Sequence, residues 1–248
     1  MKFAFSLAAI VLSAVSALAA TNNLTVPGTA DVWLAGQANG TVLQGIYALY
    51  DVAPANSPVL ASTGLNMTAG SYLTVSASGA TNYNGCLATS PDGTGCGNFS
   101  TNAPYFGIST YSGPIDALIG VFIGSGTPGG TAPAGLNFST VASQSQATLS
   151  PQLNQVFFIG DGLTGTGSGS VQQFVIPAGA TRLYLGSSDG AGANYNNSGS
   201  FTVAVSDTGT STSTAAPVPA ASPLVLLVTG LLLIVVSGYL LTGRTRTV

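Results

Sequence analysis

One loop of this chain concentrates its ligating chemistry. Residues 188–200 read Ser-Asp-Gly-Ala-Gly-Ala-Asn-Tyr-Asn-Asn-Ser-Gly-Ser. Asp189 supplies a carboxylate, and Asn196 and Asn197 supply adjacent amides. Gly190, Gly192 and Gly199 let the backbone turn back on itself, so that these oxygens can converge on one point. Carboxylate, amide and backbone carbonyl oxygens suit Ca²⁺, which takes roughly six to eight hard ligands in irregular geometry. Asp, Asn and Gly are equally the residues of ordinary turns, so composition leaves both readings open.

Most other chemistry is excluded. The chain has no His and no Glu, which removes His-dependent triads, Cys-His dyads and His-rich zinc sites. Paired Glu carboxylates for glycoside hydrolysis are absent too, leaving only an Asp pair as a formal possibility. The Gly-rich stretch 160–169 carries no Lys, as a phosphate cradle would, and reads as a hairpin loop. No nucleophile–base pair can be named, and the expectation is a protein that is not an enzyme.

All seven acidic residues are Asp: Asp31, Asp51, Asp92, Asp116, Asp161, Asp189 and Asp207. Of the four basic residues only Arg182 lies between residues 21 and 207. That segment is therefore six units negative and lacks the cationic footprint a nucleic acid needs. Its solubility rests on Ser, Thr, Asn and Gln, which suits an extracytoplasmic β protein better than a helical bundle. Arg182 is expected to pair with an Asp at the sheet surface.

The ends of the chain read as targeting segments. Residues 1–20 carry Lys2, an apolar run and Ser-Ala-Leu-Ala-Ala, the pattern of a cleavable secretory signal with the cut after Ala19 or Ala20. Residues 208–222 form a Thr/Ser/Pro/Ala linker that cannot build a core. Residues 223–242 hold an uncharged apolar run of spanning length, and 243–248 a basic tail, as expected of a transmembrane helix with its cytoplasmic flank. Cys86 and Cys96, an even count in an exported chain, point to a disulfide, with two free thiols as the alternative.

Short β-strands must position the loop. Residues 30–35, 42–50, 72–78, 117–123, 156–159, 171–176, 182–185 and 201–205 carry the strand signals, with Leu73, Val75 and Ala77 alternating onto one face. Gly79 is expected to close the third of these. The turns between them predict an all-β fold, an antiparallel β-sandwich over 21–207. Trp33 is expected in the core. Phe157 and Phe158 should point to opposite faces, one into the core and the other under a loop. The stretch 124–152 has no assigned role.

The segment 189–205 resembles the calcium- and sugar-binding segment of the PA-I type galactophilic bacterial lectins, chiefly through Asn-Asn-Ser-Gly-Ser-Phe at 196–201. In that family an Asp precedes the paired Asn by seven and eight residues, as Asp189 precedes Asn196 and Asn197 here. A backbone carbonyl follows the Asp by four residues, here Ala193. Another comes from a Tyr four residues after the Gly ending an early strand, here Tyr83 after Gly79. The resemblance implies a jelly-roll-like, galactose-binding sandwich with one Ca²⁺ held by Tyr83, Asp189, Ala193, Asn196 and Asn197. The ion would bridge two sugar hydroxyls, with Tyr83, Asp189, Asn196 and Asn197 also meeting the carbohydrate. Those lectins use a His in a neighbouring loop, where this chain has Cys86, Pro91, Asp92 and Cys96.

The C-terminus resembles PEP-CTERM sorting tails: Pro217-Val218-Pro219, an apolar run and terminal arginines, although the Glu of the usual Pro-Glu-Pro is missing. That implies an envelope sorting protease as partner and delivery to the outer surface or extracellular matrix, with an ordinary single-span anchor as the alternative. The sequence thus predicts an exported envelope or matrix protein with a Ca²⁺-dependent carbohydrate-binding domain, its ligand a galactoside or exopolysaccharide. The alternative is a structural surface protein with a stabilising calcium or none.

Overall fold

A computed structural model describes residues 19–208 except 46–49, 84 and 102. In chain order the strands are β1 (Thr21–Pro27), β2 (Val42–Gln44), β3 (Tyr50–Val52), β4 (Val59–Leu60), β5 (Tyr72–Tyr83), β6 (Cys86–Leu87), β7 (Asn98–Ser100), β8 (Tyr111–Pro114) and β9 (Leu118–Ile123). They continue as β10 (Leu136–Asn137), β11 (Thr148–Leu149), β12 (Val156–Phe158), β13 (Leu163–Gly165), β14 (Ser168–Val171), β15 (Gln173–Val175), β16 (Arg182–Ser187) and β17 (Ser198–Asp207). A single-turn helix, α1 (Val141–Gln144), lies between β10 and β11, and 3-10 turns occupy Val32–Leu34 and Asn194–Asn196.

The fold is all-β and resembles a sandwich. One sheet has the order β1-β17-β5-β15-β11, with β6 added to β5; a second has the order β12-β9-β16-β4. Alternation decides which side each strand buries. In β17 Phe201, Val203 and Val205 are buried while Thr202 is exposed, and in β5 Leu73 and Val75 are buried. The two sheets meet through rings: Phe174 of β15 lies 5.6 Å from Phe157 of β12, which lies 5.3 Å from Phe122 of β9. Every residue of β9 is buried, because its other face is covered too. The turn Val32–Leu34 packs there against β9 and β16.

Several expectations change. Residues 30–35 form no strand: Val32–Leu34 wind into a 3-10 turn whose side chains are all buried. The Asp31 carboxylate instead accepts from Trp33 N at 2.8 Å and caps the 3-10 turn. Trp33 is core, its indole N–H donating to Ser109 O at 2.9 Å. The expected strand 42–50 keeps only β2 and the first residue of β3 among the described residues.

Gly79 does not close its strand: at φ +99 it stays in the ladder opposite Phe201, and β5 runs on to Tyr83. β1 is an addition to the expected strands. Two pairs, β10 with β8 and β11 with β15, are parallel, so the sheets are not purely antiparallel. Arg182 donates to Gly124 O and Gly126 O and stands 5.8 Å over the Tyr184 ring rather than pairing with an Asp. Phe158 is buried against Phe138, within the stretch 124–152, which also holds β10, α1 and β11.

Cys86 and Cys96 are joined in a disulfide. The secretory signal and the apolar C-terminal run lie outside the described residues. Among the described residues no helix is long and apolar enough to cross a membrane.

Candidate functional site

The loop 188–197 leaves β16 and enters β17 at one end of the two sheets. Its first residue is stitched down. Ser188 Oγ donates to Pro114 O at 2.6 Å and accepts from Ala117 N at 2.8 Å, while Ser188 O accepts from Asp116 N at 2.7 Å. Gly192 then takes φ +80 and passes so close to Gly45 N that a Cβ would lie 2.5 Å from it, so the close approach requires glycine here. Ala193 N donates to Gly190 O at 2.8 Å and opens the 3-10 turn, which delivers Asn197 to the foot of β17.

Asp189 and Asn197 come together directly. Each is only 6 % exposed, and the Asn197 amide lies against the Asp189 carboxylate. The β5–β17 register brings Tyr83 to the same place. The last ladder pair is Ser198 with Asn82, so Tyr83 and Asn197 are the next residues on the two strands. Tyr83 N donates to Asp116 Oδ2 at 3.0 Å. Ala193 is half-buried and Asn196 exposed at the rim. The structure therefore gathers Asp189 and Asn197, sets Tyr83 beside them, and leaves Asn196 facing solvent.

Sequence reasoning missed Asp31, Asp51, Asp116 and Asn194, all buried beneath or beside this loop. Asp31 accepts from Gly192 N at 3.2 Å, and Asp51 Oδ2 accepts from Asn194 N at 2.9 Å. Asp116, at φ +60, accepts from Thr81 Oγ1. Asn194 Nδ2 reaches Gly28 O, Ala30 O and Ser187 O at 2.8–3.3 Å. A signal was available. Asp31 and Asp116 stand at the mouths of the apolar runs 32–35 and 117–123, and Asp51 is embedded in Ala-Leu-Tyr-Asp-Val-Ala. An acid there goes inside with its run and must find backbone donors.

The electrostatics are one-sided. Burial raises the carboxyl pKa values of Asp31, Asp51, Asp116 and Asp189. Asp31, in side-chain contact with Asp51, is raised well above the ordinary value, first by burial and then by the Asp51 charge. Asp189 is raised to about 6: burial dominates, the Gly190 N–H and the Asn197 amide oppose it, and the Asp116 and Asp51 charges add to it. The only basic side chain among the described residues, Arg182, is committed to carbonyls elsewhere.

Two buried amide oxygens of this region, Asn194 Oδ1 and Asn197 Oδ1, have no hydrogen-bond partner. Buried acceptors normally have a donor, and a desolvated cation is one thing that satisfies them. Among the described residues no group of three or more His, Cys, Asp or Glu side chains is arranged to hold a metal. A cation here would have to take amide and carbonyl oxygens with few carboxylates, the donor type suited to Ca²⁺ and unsuited to Zn²⁺. No protein-family model, no curated protein and no solved structure matches this chain.

Proposed function

We propose that this is an exported envelope or extracellular-matrix protein whose β-domain binds carbohydrate through Ca²⁺, the reading under which the sandwich is of the galactose-binding, jelly-roll-like kind. The observation that carries it is the meeting of two distant segments. Asp189 and Asn197 touch at the foot of β17, Tyr83 ends the neighbouring strand, and Asn197 Oδ1 is buried without a donor. Tyr83, Asp189, Ala193, Asn196 and Asn197 would hold the ion, which supplies a positive centre that neutral sugar hydroxyls can join. Asn196, which is exposed, would hydrogen-bond those hydroxyls. The disulfide accords with export to an oxidising compartment. The signal, the apolar run and the sorting-like tail complete the reading, with the envelope membrane and a sorting protease as partners.

A second reading is favoured by one fact: Asp189 and Asn197 are each only 6 % exposed, as for an ion that holds loop to strand and meets no ligand. Calorimetric titration separates the two. Calcium heat that disappears in Asp189→Ala, followed by galactoside heat in the wild type only with calcium present, is the expected result. Calcium heat without sugar heat leaves the structural ion. No calcium heat removes the site assignment.

A further inference from the structure

We propose that export processing cuts the chain between Ala19 and Ala20 and that the new α-ammonium of Ala20 docks on the Asp207 carboxylate, fastening the first strand to the last. The inference rests on the export part of the reading above and is independent of calcium. Ala20 N lies 2.8 Å from Asp207 Oδ1, and Asp207 N returns a bond to Ala20 O at 3.0 Å, extending the β1–β17 ladder by one residue beyond Thr21 opposite Ser206. The carboxylate is 8 % exposed and already oriented, its other oxygen accepting from Asn66 N at 2.7 Å. Ala19 is exposed and Ala20 half-buried, so the scissile bond is reachable while its product amine is seated.

The sequence places the cut at the same bond. Ala17-Leu18-Ala19 puts small residues at the first and third positions before it, whereas a cut after Ala20 would put Leu18 at the third. A signal peptidase supplies the hydrolysis. Water adds its hydroxyl to the Ala19 carbonyl carbon and the C–N bond breaks. The Ala20 nitrogen leaves as an amine that is protonated near neutral pH, its pKa being about 7.7–8.0 in the absence of neighbours. A hydrogen bond from a neutral amide thereby becomes an ammonium–carboxylate pair with both partners charged.

Lys2 is the only lysine and lies in the removed segment. The mature chain therefore has one primary amine, on Ala20, and amine-selective acetylation neutralises that group alone. The experiment takes the full-length mature protein from an exporting host and measures its intact mass, then its thermal unfolding with and without acetylation, beside Asp207→Asn. The expected mass starts at Ala20. Acetylation lowers the midpoint by about 2–4 °C, the size expected for a modest loss in a domain of this length, and causes no further fall in Asp207→Asn. A mass starting at Thr21 or later overturns the inference and leaves export standing, and an uncut chain overturns both. An unchanged midpoint on acetylation overturns the docked ammonium.

Discussion

Asp189 links the chemistry of the site to pH. Its carboxyl is raised to about 6 in the folded protein from an ordinary 3.8. The folded state therefore holds this proton more tightly than the unfolded chain. That stability is fully present below the unfolded value and is lost as pH rises toward about 6. At about 1.4 kcal/mol for each tenfold change in proton affinity, the difference between the two states amounts to about 3 kcal/mol. Through this carboxyl the metal-free protein should lose midpoint temperature between about pH 4 and 6. Calcium should reverse the loss above pH 6 and do nothing near pH 4, where protons hold the carboxyl; unfolding scans across pH with calcium and with chelator measure both limbs. Asp31 gives a second test. Burial and the Asp51 charge raise its pKa and so favour its protonated form, which Asp31→Asn imitates with an amide N–H. That variant should retain more stability than Asp31→Ala, which uncaps Trp33 N and frees Gly192 N and should lose about 1–3 kcal/mol in denaturant titration.

The loop 188–197 is an element without regular structure, held by what it presses against. Gly192→Ala places a Cβ on Gly45 N and forces positive φ on a residue that resists it. It should cost about 1–3 kcal/mol and weaken calcium binding, whereas an Ala at Gly130, with open space around it, should leave calcium binding unchanged. The legibility of the other elements follows from the same physics. Runs 117–123 and 201–205 were readable because continuous or alternating apolar residues have one explanation in a β protein. Residues 30–35 misled because a buried 3-10 turn and a core strand share the same apolar composition, and only the Asp31 cap distinguishes them. β1 was missed because Thr-Asn-Asn-Leu-Thr-Val-Pro is polar at most outward positions, being an outer strand of its sheet. At the site, the composition of the loop pointed to Asp189 and Asn197, which the structure brings close to each other. Asp51 comes from β3 and Asp116 from the turn between β8 and β9, and their arrival beneath the loop depends on long-range pairing rather than on their own neighbours in sequence.

At the scale of the molecule, stability has two sources outside the shared core. The disulfide closes a loop of ten residues' separation between β6 and the turn before β7. In the chain-entropy picture that contributes about 2–3 kcal/mol, so Cys86→Ser with Cys96→Ser should shift chemical denaturation by that amount while calcium binding survives. The other source is the junction of the termini. β1 has β17 as its strand partner, with Thr21 opposite Ser206, and the pair bonded across Ala20 and Asp207 is 187 residues apart in sequence. If the chain is exported as proposed, its first strand emerges unmatched and waits until nearly the whole domain has followed. Closure of such a distant pair is slow by its topology. Under the proposed export, this sheet would therefore close last, after Asp207 has followed Ala20 across the membrane.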